Sequence, residues 1–340
     1  MKSRLLAFFS MLIMFVVIAP LTSGEVFAQN DVPPHKAQAP GYYRMMVGNY
    51  EVTALLDGTH PFLADELLVG IPQAQVDSML ARNYQKSPVE GAINAFLINT
   101  GSKLILFDTG AGELYGKDGG LLLGNLRASG YQPEQVSEVF LTHLHRDHVG
   151  GLLLKGKMIY PNAVIHVSKV DADFWLNPAN KAKVPKILWP MFDGAIDTLK
   201  PYIAAGKFKP FDADGELEPG IVAIAAPGHS PGHTVYKITS AGQTLMVWGD
   251  IVHVAPVQFP EPSASIKYDI DGAAAVQSRA KIFKEAAAQG YWIAAAHVSF
   301  PGIGHVHAND TGNGYIWVPT NYGLMRAAFA MPAQAATPQD

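Results

Sequence analysis

The sequence has 340 residues, contains no cysteine and carries a formal net charge of −4 at pH 7. Without cysteine no disulfide supports the fold, so the chain must be stabilised by its hydrophobic core, for which it is long enough. Acidic and basic residues are mixed along the chain without a block of either sign, which argues against nucleic acid as a partner.

The first 28 residues are typical of a secretory signal peptide. Lys2 and Arg4 precede an apolar run over residues 5–21, and Ala28 supplies the small residue that precedes a signal-peptidase site. We therefore predict cleavage after Ala28, export to the periplasm or the medium, and no stable membrane anchor in the mature protein. An uncleaved anchor is the alternative, since the run approaches the length of a membrane span, but Pro20 weighs against it.

The rest of the chain is predicted to form one domain with irregular ends. Residues 29–41 contain Pro33, Pro34 and Pro40 and are expected to be an irregular leader. Residues 331–340, rich in Ala, Pro and Gln, are expected to be a flexible tail. Between them, residues 42–330 show neither a linker nor a repeat, so a single domain is the simplest account.

Short strand-like runs begin this domain and alternate with helical stretches later. Gly48 and Asn49 form a predicted two-residue hairpin turn, and Gly101 lies in a second tight turn. This order suggests two packed sheets with helices outside them, although periodicity alone does not distinguish that arrangement from other α/β layers. Strands are predicted at residues 42–47, 50–56, 95–99, 103–107, 139–142, 163–167, 221–226, 234–238, 244–248 and 291–296, and helices at 119–129, 169–176, 192–205 and 272–288.

The residues that carry chemistry begin directly after a predicted strand, at residues 142–151, Thr-His-Leu-His-Arg-Asp-His-Val-Gly-Gly. In extended backbone alternate side chains share a face, so His143, His145 and Asp147 are expected to point one way, and His148 to begin the next turn. Three imidazoles and a carboxylate so close together supply the nitrogen and oxygen donors that suit Zn²⁺ and similar divalent ions. Such a cluster at a strand end has no stabilising purpose without a cation.

This run resembles the signature of the metallo-β-lactamase superfamily, His-x-His-x-Asp-His followed by Gly-Gly. Residues 107–110 (Phe-Asp-Thr-Gly), 227–233 (Pro-Gly-His-Ser-Pro-Gly-His), 248–250 (Trp-Gly-Asp) and 296–297 (Ala-His) resemble its other elements. Their order and spacing fit over almost the whole chain after the predicted signal. The resemblance implies an α/β fold, the αββα sandwich, with a dimetal site where the loops of both sheets meet.

The resemblance also implies two divalent metal ions, with zinc as the first expectation. Each ion would have three side chains and a share of one carboxylate, which leaves positions open for substrate. The two ions would activate a water, and Asp147 is expected to orient it. The implied ligands are His143, His145 and His229 on one ion and Asp147, His148 and His297 on the other, with Asp250 bridging them.

Three further residues are expected to support these ligands from behind. Asp108 can accept a hydrogen bond from a ligand imidazole and so fix its tautomer. His233 belongs to the second histidine element, and a purely structural histidine is an equal alternative for it. His305 follows the last ligand closely and is a weaker candidate. His35, His60 and His166 are predicted to be surface or packing residues.

Stretches outside the metal motifs narrow the resemblance to methyl parathion hydrolases, related organophosphorus hydrolases and lactonases. Asp250 and the lack of cysteine argue against β-lactamases that use a cysteine ligand. A homodimer is compatible with this resemblance, although no apolar stripe in the sequence indicates one. The stretches are residues 41–44, 130–136, 172–176, 205–211 and 299–305.

The same resemblance implies an aromatic substrate pocket formed by Tyr115, Trp175 and Phe192. Aromatic walls above a dimetal centre bind aryl esters, aryl lactones or aryl phosphotriesters by apolar burial and stacking. The alternative for these rings, and above all for Trp175 on its predicted helix, is a place in the core.

His253 lies three residues after Asp250, where the chain is expected to run along the pocket wall. Dedicated methyl parathion hydrolases resemble this chain but are apolar at the matching position. An imidazole there can donate a hydrogen bond to an ester or lactone oxygen, whereas the dialkyl groups of a phosphotriester would pack against a polar ring. The alternative is that His253 points into the core and only supports Asp250.

The sequence therefore predicts a dinuclear metal-dependent hydrolase with Asp147, Asp250 and His253 as its catalytic residues. Its expected substrates are small lactones and aryl esters, with secondary phosphotriesterase activity. The alternatives are a dedicated organophosphate triester hydrolase, another hydrolase of the superfamily, and a non-enzymatic exported metal-binding protein. A missing ligand would mark the last of these, and none is missing.

Overall fold

Two large β-sheets form the centre of the protein. The structure is a computed structural model that describes residues 34–212, 214–323 and 325, so the predicted signal peptide (1–28) and tail (331–340) lie outside the described residues. Residues 34–41 of the predicted leader carry no regular secondary structure. Among the described residues, no helix combines the length and apolar composition of a membrane span.

The helices and strands have the following bounds. The strands are β1 (Tyr42–Val47), β2 (Tyr50–Phe62), β3 (Leu68–Val69), β4 (Val89–Asn99), β5 (Leu104–Phe107), β6 (Glu138–Phe140), β7 (Leu153–Leu154), β8 (Lys157–Met158), β9 (Val164–His166), β10 (Gly215–Glu218), β11 (Ile221–Ala225), β12 (Thr234–Ser240), β13 (Gln243–Val247), β14 (Ser265–Ile266), β15 (Trp292–Ala294), β16 (Ile303–Ala308) and β17 (Tyr315–Pro319). The α-helices are α1 (Ala64–Leu67), α2 (Gln73–Arg82), α3 (Leu122–Ala128), α4 (Arg146–Val149), α5 (Lys169–Trp175), α6 (Trp189–Ala204), α7 (Ala255–Gln258) and α8 (Gly272–Gln289).

Every predicted strand and helix is present, and most differ from the prediction only at their ends. The largest difference is the pair β2 and β4, which are both longer than predicted. They pair antiparallel from Glu51 opposite Asn99 to Phe62 opposite Val89. Each strand therefore continues because the other supplies hydrogen bonds, a non-local effect that the alternation of apolar residues in either segment does not report.

The first sheet has the strand order β1-β2-β4-β5-β6-β9. Its first four strands are antiparallel neighbours, whereas β5, β6 and β9 run parallel. The second sheet has the order β10-β11-β12-β13-β15-β16-β17, and in it only β13 and β15 pair in parallel.

The inner faces of the two sheets pack against each other through aromatic and aliphatic side chains. Phe96, Phe107 and Phe140 of the first sheet and Tyr236 and Val247 of the second belong to one buried cluster. The ring centroids of Phe107 and Tyr236 are 5.2 Å apart. Burying one such phenyl ring stabilises the fold by about 1.5–3 kcal/mol, so this layer joins the sheets.

The outer faces are covered by helices. Leu97 and Leu106 of the first sheet pack in a cluster with Leu126 of α3 and Phe192 of α6. On the second sheet, Met246 and Ile293 share a cluster with Ile282 and Phe283 of α8. The layers are therefore helix, sheet, sheet and helix, and the predicted αββα sandwich is confirmed.

The connections that carry the predicted ligands leave the two sheets at one edge. The chain after β6 enters residues 142–148, the connection from β11 to β12 contains His229, and the chains after β13 and β15 reach Asp250 and His297. Within the second sheet the parallel strands β13 and β15 end at the same edge. The segment after β6 of the first sheet reaches the same region, because the side chains that follow all three strands converge.

Candidate metal centre

The signature run divides between extended chain and a short helix. His143 and His145 follow β6 in extended backbone, but Asp147 and His148 lie on α4. The expectation that Asp147 continues the extended face is therefore wrong. Because α4 turns the chain after His145, the carboxylate reaches the site from a different direction from the first two imidazoles.

The Gly-Gly pair of the run is required by close backbone packing. A Cβ on Gly150 would lie 1.9 Å from the carbonyl oxygen of Ala111, and one on Gly151 would lie 1.9 Å from that of Thr109. Glycine at both positions lets the run approach the segment after β5, which carries Asp108.

The side chains predicted as ligands converge in space. Their donor atoms form groups in which every pair of atoms lies within 4.8 Å. The first two groups match the division that the resemblance implied, and the third adds His253 to Asp250 and His297. The groups are His143, His145, His229 and Asp250, then Asp147, His148 and His297, and finally Asp250, His253 and His297.

Asp250 lies at the centre of this cluster and is 3% exposed. Its Oδ1 is 3.1 Å from Nε2 of His148 and 3.2 Å from Nε2 of His297. Its Oδ2 is 3.1 Å from Nε2 of His229 and 3.7 Å from Nε2 of His143. One carboxylate thus faces members of both ligand groups, which is the arrangement that a bridging ligand requires.

Several donor atoms of the cluster are buried without a hydrogen-bond partner. Within the described ranges this holds for Nε2 of His143, Nε2 of His148 and Oδ1 of Asp250. Unpaired buried polar atoms cost free energy, and a divalent cation satisfies imidazole nitrogens and carboxylate oxygens together. The residues present therefore fit a divalent metal centre.

The electrostatics of the cluster differ among the proposed ligands. Burial, followed by the neighbouring imidazoles, holds the pKa of His143 and His145 well below the usual value, so both rings stay neutral. Burial opposes ionisation of Asp250, but the surrounding imidazoles hold its pKa well below the ordinary range. Neutral imidazole and ionised carboxylate are the forms that bind metals. Burial opposes protonation of His148, His229 and His297, but Asp250 and the neighbouring carboxylates raise the pKa of all three rings, so each must release a proton when a metal binds.

Asp108 supports His148 as the sequence predicts. Nδ1 of His148 donates to Oδ2 of Asp108 at 2.9 Å, which leaves Nε2 directed at Asp250. Thr142 fixes the carboxylate in turn, since its backbone N–H donates to Oδ1 at 2.8 Å and its hydroxyl to Oδ2 at 2.9 Å. The bond therefore selects the tautomer that presents a ligand nitrogen to the cluster.

His233 supports Asp250 through the backbone. The N–H of Asp250 donates to Nε2 of His233 at 3.0 Å. Burial lowers the pKa of His233 to about 3, so the ring is neutral and its Nε2 can accept this bond. A Cβ on Gly249 would lie 2.7 Å from that nitrogen, so glycine is needed for the approach.

Asp269 holds His229, and sequence reasoning missed it. Nδ1 of His229 donates to Oδ1 of Asp269 at 2.8 Å, and the N–H of Ile266 donates to Oδ2 at 3.0 Å. Asp269 lies just before α8, outside every signature element, so no spacing in the chain connects it with His229.

Asp171 joins the two histidine elements and was also missed. Its carboxylate accepts the N–H of Leu144 at 2.7 Å and that of Gly232 at 2.9 Å, together with the hydroxyl of Ser230. Burial raises its pKa to about 6. The signal available in the sequence was an acid on an otherwise apolar helix face, which indicates a buried partner.

A pocket with a volume of about 400 Å³ lies over the cluster. Asp147, Asp250 and His253 contribute to its floor, and Tyr115 contributes to its wall as predicted. Outside the ligand cluster, the rest of the lining includes an apolar set and a smaller polar set. The apolar residues are Phe62, Ile93, Leu114, Ile187, Pro190 and Met191, and the polar residues are His60, Arg146 and Tyr268.

Trp175 and Phe192 do not line this pocket, and their prediction as pocket residues is wrong. Both are 0% exposed. Trp175 stands edge-on behind His145 with ring centroids 4.9 Å apart, and its Nε1 donates to Oγ of Ser230 at 2.7 Å. Phe192 packs on Trp175 at 4.6 Å. Helices α5 and α6 bury their apolar faces against the first sheet. Both rings belong to those faces, so they point toward the sheet.

The prediction for His305 as a residue that supports the ligands is also wrong. Nδ1 of His305 donates to the carbonyl oxygen of Tyr291 at 3.0 Å and its ring lies 3.9 Å from that of Trp292, so it supports the second sheet and touches no ligand. His60, predicted to be a surface or packing residue, is partly exposed and packs on the Tyr115 ring, and it also lines the pocket. The extension of β2 beyond its predicted end carries His60 there.

The sequence allows two positions for His253, one on the pocket wall and one in support of Asp250, and the structure combines them. It lines the pocket, and its Nε2 is 3.1 Å from Oδ2 of Asp250. Its ring stacks on that of His297 with centroids 5.3 Å apart. The side chain is therefore placed both to support Asp250 and to meet a ligand.

Comparisons with solved structures extend over nearly the whole described chain. The structure is similar to the crystal structure of the hydrolase AbOPH in the beta lactamase superfamily, with 43% identity and a TM-score of 0.80, covering 84% of this chain and 100% of that one. It is similar to AidC, a dizinc quorum-quenching lactonase in complex with a product, with 30% identity and a TM-score of 0.76, covering 84% of this chain and 99% of that one.

Sequence comparisons find similar proteins over a shorter part of the chain than the structural comparisons do. Residues 88–297 match the model of the metallo-beta-lactamase superfamily. The chain is 26% identical over 157 residues to an N-acyl homoserine lactonase of Bacillus thuringiensis, covering 41% of this chain and 54% of that protein. It is 26% identical over 197 residues to a probable metallo-hydrolase of Mycobacterium tuberculosis, covering 47% and 59%. The matches thus span little more than half the length of these curated relatives.

Proposed function

Because the chain belongs to the metallo-β-lactamase superfamily, we propose that it is a metal-dependent hydrolase of lactones and aryl esters with secondary activity on phosphotriesters. The observation that carries this proposal is the Asp250 carboxylate, which faces imidazoles of two ligand groups at the floor of a pocket with an apolar wall. The similarity to AidC and to an N-acyl homoserine lactonase supports a lactone substrate.

Two divalent ions, most simply zinc, are part of the proposal. His143, His145 and His229 would hold one ion, Asp147, His148 and His297 the other, and Asp250 both. Two such ions, when bound, supply Lewis acidity and an activated water at neutral pH.

Asp147 has the role of holding a proton beside the reacting group. Its Oδ2 lies 3.5 Å from Nε2 of His297 and 3.8 Å from Nε2 of His148, and its side chain is 13% exposed, against 3% for Asp250. A carboxylate at the edge of the cluster can accept a proton from the attacking water and return it to the leaving oxygen.

The first experiment measures turnover of dihydrocoumarin, p-nitrophenyl acetate, methyl paraoxon and nitrocefin, with and without a chelator. We expect hydrolysis of the lactone and the aryl ester, weaker hydrolysis of methyl paraoxon, and loss of all activity on chelation. Activity on none of the four would favour a non-enzymatic metal-binding protein, and preference for nitrocefin would indicate another hydrolase of the superfamily.

His253 is proposed to set the preference for lactones over phosphotriesters. Its imidazole lines the pocket next to Asp250, where it can donate to a carbonyl or ring oxygen. Its Nε2 already pairs with Asp250, whereas its Nδ1 has no partner among the described residues, and packing dialkyl groups there would keep Nδ1 unpaired at a cost of about 1–3 kcal/mol. His253→Leu should therefore raise methyl paraoxon hydrolysis relative to dihydrocoumarin hydrolysis about tenfold or more. An unchanged ratio at unchanged metal content would mean that His253 only supports Asp250.

Export is proposed from residues 1–28, which resemble a signal peptide. Expression with this leader in a Gram-negative host should give a periplasmic protein that begins near Gln29. An intact Met1 on a membrane-bound product, detected by mass spectrometry, would contradict the proposal.

A further inference from the structure

The pocket contains a cation that the metal centre does not use. Arg146 lies between His145 and Asp147 in the chain and lines the pocket together with Asp147 and Asp250. Among the ion pairs formed by described residues, none includes Arg146. A half-buried arginine is usually paired with an anion, so this one is suited to receive an anion from the pocket.

Three contacts hold the Arg146 side chain in place before any ligand binds. A Cβ on Gly194 of α6 would lie 3.1 Å from the Cβ of Arg146, so the stem of the side chain packs closely against that helix. The guanidinium carbon lies 4.6 Å from the ring centroid of Tyr115. Nη2 donates to the carbonyl oxygen of Leu114. A head group fixed in this way loses little conformational entropy on binding.

The Tyr115 ring is itself held from a second direction. The ring of His60 packs on it with centroids 4.8 Å apart, and Nδ1 of His60 lies 2.9 Å from Oδ2 of Asp118. Tyr115 and Asp118 belong to one short segment, Gly112–Asp118, so this pair fixes the segment that carries the aromatic support of Arg146.

The contacts of Arg146 leave donors free. Guanidinium presents several N–H groups in one plane, and the contact with Leu114 uses only Nη2. The plane matches the two oxygens of a carboxylate, which arginine binds through paired charge-assisted hydrogen bonds. The carboxylates of Asp147 and Asp250 in the same pocket belong to the proposed metal ligands, where cations offset their charge.

We propose that Arg146 binds a carboxylate group of the substrate on the side wall of the pocket. This inference rests on the proposed hydrolase function and deepens it, since it names the substrate class as esters or lactones with a second, negatively charged group beyond the scissile bond. The uncharged part of such a substrate would pack against the apolar wall that includes Phe62 and Ile93.

The test compares two esters of equal length on the metal-loaded enzyme. They are 4-nitrophenyl butyrate, which is neutral, and the mono-4-nitrophenyl ester of succinic acid, in which a carboxylate replaces the terminal methyl group. We expect wild-type kcat/KM to favour the succinate ester by about tenfold, mainly through KM. Arg146→Met should abolish this preference, and Arg146→Lys should retain part of it.

Arg82→Met is the matched control. Arg82 is exposed on α2, so the same change of charge and length there should leave the ratio unchanged. If both esters are hydrolysed and the ratio is equal in wild type and Arg146→Met, the role of Arg146 is overturned while the hydrolase function stands.

If neither ester is hydrolysed, the proposed hydrolase function fails and binding decides the role of Arg146. Calorimetry on the metal-loaded protein then compares glutarate with butyrate, each of which offers one carboxylate to the metals. Arg146→Met should weaken glutarate binding about tenfold relative to butyrate binding. Equal effects on the two ligands would overturn the inference.

Discussion

At the scale of single residues, the proposed metal centre depends on side chains that hydrogen-bond to the ligand histidines. Asp269 accepts the Nδ1 hydrogen of His229 at 2.8 Å and so keeps Nε2 free for a metal. Asp269→Leu should leave Nδ1 buried without an acceptor and allow the proton to move to Nε2. We expect metal affinity to fall about 10- to 100-fold, measured by competition with a chromogenic chelator. Asp310→Asn, on an exposed loop, is the control, and wild-type affinity in Asp269→Leu would contradict the assignment.

At the scale of elements, one buried carboxylate organises the segment that carries Tyr115. Asp57 of β2 accepts the N–H groups of Ala111 at 2.8 Å, Gly112 at 3.1 Å and Gly120 at 3.0 Å through Oδ2, and that of Leu122 at 3.0 Å through Oδ1. Burial raises the pKa of Asp57, and these bonds oppose the rise. The carboxylate therefore fixes the backbone around the pocket wall.

Asp57→Leu should leave these backbone donors unpaired, each at a cost of about 1–3 kcal/mol. We expect the free energy of unfolding in urea to fall by roughly 3 kcal/mol or more, and hydrogen exchange to accelerate across residues 111–122 before other segments. Asp57→Asn keeps one acceptor oxygen and should lose less. Uniform exchange throughout the chain in Asp57→Leu would show that Asp57 stabilises the fold without holding this segment.

At the scale of the whole molecule, the proposed metal ligands come from segments of both sheets. His143 and His148 follow β6 of the first sheet, whereas Asp250 and His297 follow β13 and β15 of the second. A ligand that binds only the folded state stabilises it by about 4 kcal/mol at a concentration a thousand times its Kd. Chelation should therefore lower Tm as well as turnover.

Asp250→Ala should reduce metal content and turnover together, because it removes the carboxylate that faces imidazoles of both ligand groups. Metal content is measured by elemental analysis of the purified protein. His166→Ala is the control, since His166 pairs with Glu138 at 2.7 Å and is no member of the ligand groups. Two retained metals with near-normal turnover in Asp250→Ala would contradict its bridging role.

The sequence by itself determined most strands and the motifs that predict the ligand set, and the order of those motifs predicted the sandwich through the family resemblance. Alternating apolar residues define strands locally, and His143, His145, Asp147 and His148 lie within one run. Asp108 was also predictable, since the motif places it after a strand that ends at the same edge.

Tertiary structure alone decided which residues hydrogen-bond to the ligand-bearing segments and which face the pocket. Asp269 and Asp171 reach their histidine elements from helices and loops distant in the chain. Trp175 and Phe192 have side chains equally suited to a pocket or a core, and only the packing of α5 and α6 on the first sheet assigns them to the core. Residue type fixes what a side chain can do, whereas its partners follow from long-range contacts that no local pattern encodes.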